Sequence, residues 1–270
     1  MTALRFDIHA AGVLAPGLSS LDDLLAVSTG KRIHVPAPLQ VPSPAMLPAQ
    51  ERRRSSAAVR LVLACIEQAL RDWPLPADAL HSVFATDEGT GEVCQQMMEA
   101  LATTRQVSPL VFSNSVLNAP SGYFSIAWRN RQPSSVVSLG LESFASGLLC
   151  AVAEAQGSGQ PMLLVAYDPP MTQPLDELLP VCEGTASAWI ITTRAVAGAP
   201  GALASFSLAM LQEAEAEPSG LPAWMPAAWS AHSSARGLAA LGLVGQHAGA
   251  EYRLQLGCGV LALRRMAAAA

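Results

Sequence analysis

At Gly140-Leu141-Glu142-Ser143 an apolar run gives way to helical spacing, so a side chain set there would stand at a helix N-terminus. The dipole and free N–H groups of such a place favour an anion and depress a thiol's pKa, which is how an α/β enzyme activates a nucleophile. The junction holds no thiol. Glu142 and Ser143 bring a base and a hydroxyl together, but adjacent side chains at a helix start point apart, and serine is a preferred cap there. No G-x-S-x-G sequence is present, and no histidine is placed to assist. Cys150 falls inside the helix, where an inert buried thiol is expected. Asp87, Glu88 and Glu92 suggest a metal, yet the nearest histidine, His81, is at the far end of a strand and EF-hand spacing is missing. Gly89-Thr90-Gly91 lacks the Lys and Ser/Thr of a phosphate loop, so this acidic turn reads as the cap of the helix that follows. His232 and His247 read as exposed or hydrogen-bonded structural histidines. No metal and no cofactor is expected.

The elements that position the junction follow from periodicity. Val136 to Leu141 reads as a short buried parallel strand, and Phe144, Leu148, Leu149 and Val152 mark one face of the helix after it. A Ser- and Asn-rich loop and a helix-like run precede it, from Ser108 onward. Upstream come a strand over 4–14, a helix capped by Ser20 and stopped by Gly30, a Pro-rich surface loop from Val35 to Pro48, and a helix from about Ser56 to Arg71. A strand from His81 to Thr86 and a helix to about Thr103 complete that half. Downstream are strands from Met162 to Tyr167 and Glu183 to Thr193, separated by a Pro-rich loop from Asp168 to Pro180. The last stretch holds a strand near Ala204 to Met210, a helix-like Leu211 to Glu217, further apolar runs at 238–244, and a strand from Tyr252 to Leu263 with Cys258 as a small core residue. The alternation predicts a mostly parallel sheet with helices on both faces.

The 270 residues are 51% hydrophobic and only 14% charged, enough to bury a sizeable core. So little charge leaves part of the surface to be covered by a partner. A formal charge of −5 argues against nucleic acid as that partner. No apolar run is long enough to span a membrane, and the N-terminus is a poor signal peptide. The five cysteines are spread without a C-x-x-C pair, which points to reduced thiols and a cytoplasmic protein. Arg52-Arg53-Arg54 stand ahead of the helix that starts near Ser56, where cations oppose the dipole and invite something anionic; a solvated basic turn is the plainer reading.

Ser108-Pro109, then Asn118 and Gly122 within N-A-P-S-G, then Pro133 before the strand-turn-helix, resemble the region around the active-site cysteine of β-ketoacyl synthases, in the thiolase superfamily. The E-G-T-A turn before the strand at 183–193 is similar as well, and the resemblance extends over about residues 8 to 194. More narrowly, F-S-N-S-V-L-N-A-P-S-G resembles the β-ketoacyl synthase-like chain length factors found with aryl polyene biosynthesis. The resemblance implies a thiolase-like layered α/β/α fold in a single domain over 1–270, with 1–195 like a synthase N-terminal half and 196–270 a shortened C-terminal part. Counted from Asn118 at the family's spacing, the nucleophile's place falls on Leu141, and no residue from Gly140 to Phe144 is Cys. Condensation needs a thiolate to accept the acyl chain, which leucine cannot replace. The last 75 residues are too few to supply the family's two histidines.

A subunit without its own condensing activity is therefore expected, paired with a competent synthase as a heterodimer or higher oligomer and shaping its acyl tunnel in aryl polyene or fatty-acid-like polyketide biosynthesis. Superfamily synthases pair the strands before the nucleophile helix, and a residue of the loop before Asn118, here Val111 or Phe112, meets the partner's pocket. The resemblance assigns Val111, Phe112, Asn114, Asn118, Tyr123, Leu141, Glu142 and Phe144 to this interface, and Arg52, Arg53 and Arg54 to docking of an acyl carrier protein or the partner. An independent acyl-thioester hydrolase or transferase and a homodimeric acyl-binding scaffold are the alternatives.

Overall fold

The computed structural model describes residues 3–212, 216–257 and 259–267. Strands β1 (Leu4–Leu14), β2 (His81–Ala85), β3 (Ser134–Val137), β4 (Met162–Asp168), β5 (Thr185–Thr192), β6 (Ala204–Gln212), β7 (Glu251–Leu256) and β8 (Gly259–Arg265) form one sheet in the order β3-β2-β4-β5-β1-β6-β8-β7. The helices are α1 (Leu21–Ser28), α2 (Ala49–Arg54), α3 (Ala57–Arg71), α4 (Gly91–Thr103), α5 (Pro109–Asn114), α6 (Ala119–Trp128), α7 (Ser143–Ser158) and α8 (Ser233–Leu241).

Strand alternation divides the interior into two layers. In β4, Met162, Leu164 and Ala166 join the core that holds Phe144, Leu148 and Val152 of α7 and Leu238 of α8, while Leu163, Val165 and Tyr167 join the core of α3 and α6. A strand buried on both faces has to be apolar throughout, as the run from Met162 to Ala166 is. Helix α3 starts where the Ser56 hydroxyl accepts from the Val59 N–H, and it buries Val59, Val62, Leu63, Ile66 and Ala69 against the sheet. Full burial of side chains of this size is worth about 1.5–3 kcal/mol each. The layered α/β/α arrangement expected from the sequence is present.

The expectation of a mostly parallel sheet is corrected. Only β2–β3 and β2–β4 are parallel; β4–β5, β5–β1, β1–β6, β6–β8 and β8–β7 are antiparallel. The reason is the connections. Between β3 and β4 the chain crosses through α7 and returns in the same sense, whereas β4 reaches β5 through the Pro-rich loop with only a short 3-10 turn, so the chain reverses. The strand expected over 136–141 is Ser134–Val137, and it is the half-exposed edge of the sheet rather than a buried strand. Ser108 to Asn114 is not a loop: Ser108 caps α5 by accepting from the Leu110 N–H, with Pro109 in its first turn. Tyr252 to Leu263 is the β7–β8 hairpin, turned at Gly257 with φ of 49°, and the Cys258 reading lies outside the described residues. Leu211 and Gln212 extend β6; the rest of the expected helix falls partly on residues outside that description.

Candidate functional site

The junction between β3 and α7 is a tight turn held by one hydroxyl. Gly140 takes φ of 60°, a left-handed conformation that strains any residue with a Cβ. Ser143 is fully buried; its Oγ accepts from the Leu139 N–H at 2.8 Å and donates to the Gly140 carbonyl at 2.7 Å. That hydroxyl is consumed by the turn and is no free nucleophile. The Glu142 carboxylate points the other way and accepts from the Gly257 N–H at 2.7 Å, tying the turn to the β7–β8 hairpin. Leu141, to which the resemblance assigned the nucleophile's place, is 43% exposed.

Beneath the turn lies a buried polar cluster that sequence reasoning missed. Asp168, placed by the sequence at the start of a loop, ends β4 and is buried. Its Oδ1 accepts from the Asp87 N–H (2.8 Å) and the Thr86 hydroxyl (3.2 Å), and its Oδ2 from the Ser234 N–H and hydroxyl (both 2.7 Å). Burial pushes its carboxyl up to about 6 against the pull of the Ser234 and Asp87 bonds. The carboxylate serves as an N-terminal cap of α8, supplied from another strand. Ser234 Oγ also meets Thr185 Oγ1 at 2.5 Å, and Thr185 Oγ1 meets His232 Nδ1 at 3.2 Å. His232 is thus the buried, hydrogen-bonded kind of histidine, held down to about 4 by burial and by the Arg236 charge. The available signal was a lone acid closing an apolar strand, Y-D-P-P, which alternation reads only as a loop start.

The acidic turn does not cap α4: Thr90 holds the N-cap position and no side chain bonds there. Asp87 and Glu88 are instead partly buried, and burial raises both carboxyls. Among the described residues, no group of three His, Cys, Asp or Glu is gathered as a metal would need. Burial and then the neighbouring Glu154 raise the Cys150 thiol to about 11, which leaves it un-ionised and inert.

Of the expected interface residues, Phe112 is 61% exposed on α5, so it is not core, and Val111 is half-buried. Val111 and Asn114 meet Arg54, Arg60, Glu92 and Val93 around a hollow of about 190 Å³. Arg54 and Leu110 also border a second hollow, with Glu51 and Tyr123. Residues assigned separately to a tunnel and to a docking patch are therefore neighbours. Asn114 is buried and donates from Nδ2 to the Arg54 and Leu110 carbonyls. Burial first, and the Glu51 charge second, raise the Tyr123 hydroxyl's pKa. Asn118 is exposed at the N-cap position of α6 without a side-chain cap bond. Phe144 is corrected: it is fully buried, packed on Trp189 with ring centroids 5.3 Å apart, and has no surface to offer a partner. The placement of the three arginines ahead of the helix at Ser56 is corrected too. They form the last turn of α2, a separate helix whose C-terminus they suit, with Arg54 3.9 Å from Glu51 and Arg52 donating to the Pro44 carbonyl, so no opposed dipole calls for an anion.

No helix among the described residues is long and apolar enough to cross a membrane. No curated protein matches the chain. A ketosynthase in complex with its chain length factor from Xenorhabdus doucetiae matches with a TM-score of 0.71 at 24% identity, covering 97% of this chain and 100% of that one. A type II polyketide synthase acyl-carrier protein in complex with its hexaketide-bound ketosynthase matches with a TM-score of 0.72 at 15% identity, over 98% and 99% of the two chains. The ishigamide ketosynthase/chain length factor matches with a TM-score of 0.70 at 12% identity, over 97% and 100%. At these identities the likeness is one of fold. Residues 28–233 match the family described as the β-ketoacyl synthase N-terminal domain, and the chain belongs to that family.

Proposed function

We propose that this chain is a non-catalytic β-ketoacyl synthase-like subunit, a chain length factor, that pairs with a competent synthase and shapes its acyl tunnel during aryl polyene or related polyketide assembly. The observation that carries the reading is the β3–α7 junction: the position that the resemblance gives to the nucleophile is a leucine, and the nearby Ser143 hydroxyl is taken up by the turn. The edge strand next to it supports the pairing half, because β3 is half-exposed and is followed by exposed Leu139 and Leu141. Chain length factors accompany ketosynthases in two of the structures that share this fold.

In this reading Phe112 and Val111 reach toward the partner's pocket and limit chain growth sterically. A steric stop is needed because one methylene of space discriminates by only about 1–3 kcal/mol. Asn114, Asn118, Tyr123, Leu141 and Glu142 surround that contact, and Arg52, Arg53 and Arg54 meet the acyl carrier protein or the partner. Residues 1–195 form the synthase-like half and 196–270 a shortened C-terminal part of one domain. The free Cys65, Cys94, Cys150 and Cys182 suit the cytoplasm.

The test is co-expression with the synthase encoded beside it, purification through a tag on one chain, and assay of carrier-bound chain extension. The expected result is a stable complex whose extension needs both chains, with product length altered by Phe112→Ala or Val111→Ala. A chain that elutes alone and turns over an acyl thioester unaided would overturn the reading; one that elutes as its own dimer and never binds the synthase would point to the scaffold.

A further inference from the structure

The hydrogen bonds of Asp168 continue into a closed ring around the turn that carries Leu141. Oδ1 accepts from the Asp87 N–H, and the Asp87 carbonyl accepts from the Ser138 hydroxyl at 2.7 Å. The next residue, Leu139, donates its N–H to Ser143 Oγ, and Phe144 donates its N–H to Ser233 Oγ at 2.8 Å. Ser234 then returns to Asp168 Oδ2. We propose that Asp168 is a positioning residue that holds the vacated nucleophile turn in shape and thereby sets how Leu139 and Leu141 are presented to a partner. The holding of the turn stands on the geometry alone; the presentation rests on the partner reading.

An ionised carboxylate fits this place best, since the Asp87 and Ser234 N–H groups can only donate and the Thr86 and Ser234 hydroxyls donate to it as well. An asparagine would turn its amide N–H against either the Asp87 or the Ser234 N–H. The same accounting fixes the histidine. The Ser234 hydroxyl proton goes to Asp168, so Thr185 donates to Ser234 Oγ and accepts from His232 Nδ1–H, which leaves Nε2 bare, buried and without a partner. The other titratable and charged groups around the carboxylate are Asp87 and Glu88 on the loop after β2, Tyr167 on β4, and Arg236 on α8. Burial favours the protonated acid, so the ring is complete above about pH 6 and loosens below it. Protonation disturbs it less than asparagine does, because the Thr86 and Ser234 hydroxyls can turn to accept the new proton.

Amide hydrogen exchange on the chain alone tests the holding. In Asp168→Asn, exchange at Leu139, Phe144 and Ser234 is expected to be at least tenfold faster, with the β1 and β5 amides unchanged. In the wild-type chain the same amides lose protection between pH 7 and pH 5 beyond the intrinsic rate change, and in the variant that pH dependence is gone. A folded Asp168→Asn chain with full protection at Leu139 and Phe144 overturns the proposal. Should that variant not fold, Ser138→Ala cuts the ring at an exposed link, and unchanged exchange at Leu139 there is equally fatal. Binding of the co-expressed synthase separates the two readings. Loss of turn protection with unaltered affinity refutes the presentation. A wild-type chain that binds no synthase, beside an Asp168→Asn chain that has lost turn protection, sinks the partner reading and leaves the holding supported.

Discussion

The two edges of the sheet are built on opposite plans. At the β7 edge, Glu251 holds Arg253 at 2.7 Å and Arg264 at 2.8 Å, and Ser219 bonds both the N–H and the carbonyl of Arg253, covering the strand's outer rim. Burial opposes ionisation of Glu251, but the two arginines outweigh it and hold the carboxyl below its ordinary range. Charge and cover are how soluble proteins blunt an edge strand. The β3 edge has neither. Its residues are Ser134, Ser135, Val136 and Val137, no ion pair among the described residues involves them, and Leu139 just beyond is 60% exposed. One edge is charged and covered, and the other is open. The turn that carries Leu141 follows the open edge strand, so in the proposed reading the missing nucleophile and the pairing surface fall in the same place.

The comparison breaks most easily at Val136. The Ser82 N–H donates to the Pro133 carbonyl and the Thr86 N–H to the Val137 carbonyl, so odd-numbered β3 residues face β2 and the Val136 N–H faces out. Val136→Pro removes that outward donor and spares the ladder to β2. Loss of association with the synthase by about 100-fold or more is expected in a titration, and Leu141→Glu should do the same, as truncation of a central contact does. Phe144→Ala acts on the core under the open edge; the chemical denaturation midpoint should drop with a loss of about 3–5 kcal/mol. Ser143→Ala leaves the Leu139 N–H without its acceptor and should cost about 1–3 kcal/mol by the same measurement, with no change in turnover by the chain alone.

Acid acts on the interior between the edges through His232. The folded state keeps His232 neutral down to about pH 4 while the unfolded chain takes a proton near 6.5, so stability is lost as pH falls through that window. Asp168, raised to about 6, gains stability on protonation over part of the same range. The His232 share is therefore read as the difference between wild-type and His232→Gln unfolding curves at pH 7, 6 and 5, with wild type losing more as pH falls. The smallest effect belongs to the closed edge. Glu251→Gln should change stability by no more than about 1 kcal/mol and synthase binding not at all, because exposed pairs contribute little.

Much of this was legible. Periodicity and capping mark β1, α1 behind Ser20 and α3 behind Ser56, and the strand-turn-helix junction was readable from Gly140, although Ser143, read as a cap, is the first residue of α7 with Glu142 at an N-cap position that no side chain bonds. Strand direction was not, because alternation reports which face a residue occupies and says nothing of the sense of its neighbour. Nor was the edge position of β3: Val136 and Val137 read as buried, and only the sheet order places them at the rim. Arg52 to Arg54 were read as a turn ahead of α3 because α2, six residues long, is too short to show a helical period. Asp168 escaped because its partners, Thr86, Asp87 and Ser234, are distant in sequence and carry no spacing signal.

The most direct test of the central claim is the affinity of the wild-type and Val136→Pro chains for the synthase encoded beside them, measured by titration at neutral pH. A tight complex that the proline substitution dissolves, in a chain whose folding is unchanged, is the predicted result. A complex that forms equally well with Val136→Pro would contradict it, and the open β3 edge would no longer be the surface on which this chain pairs.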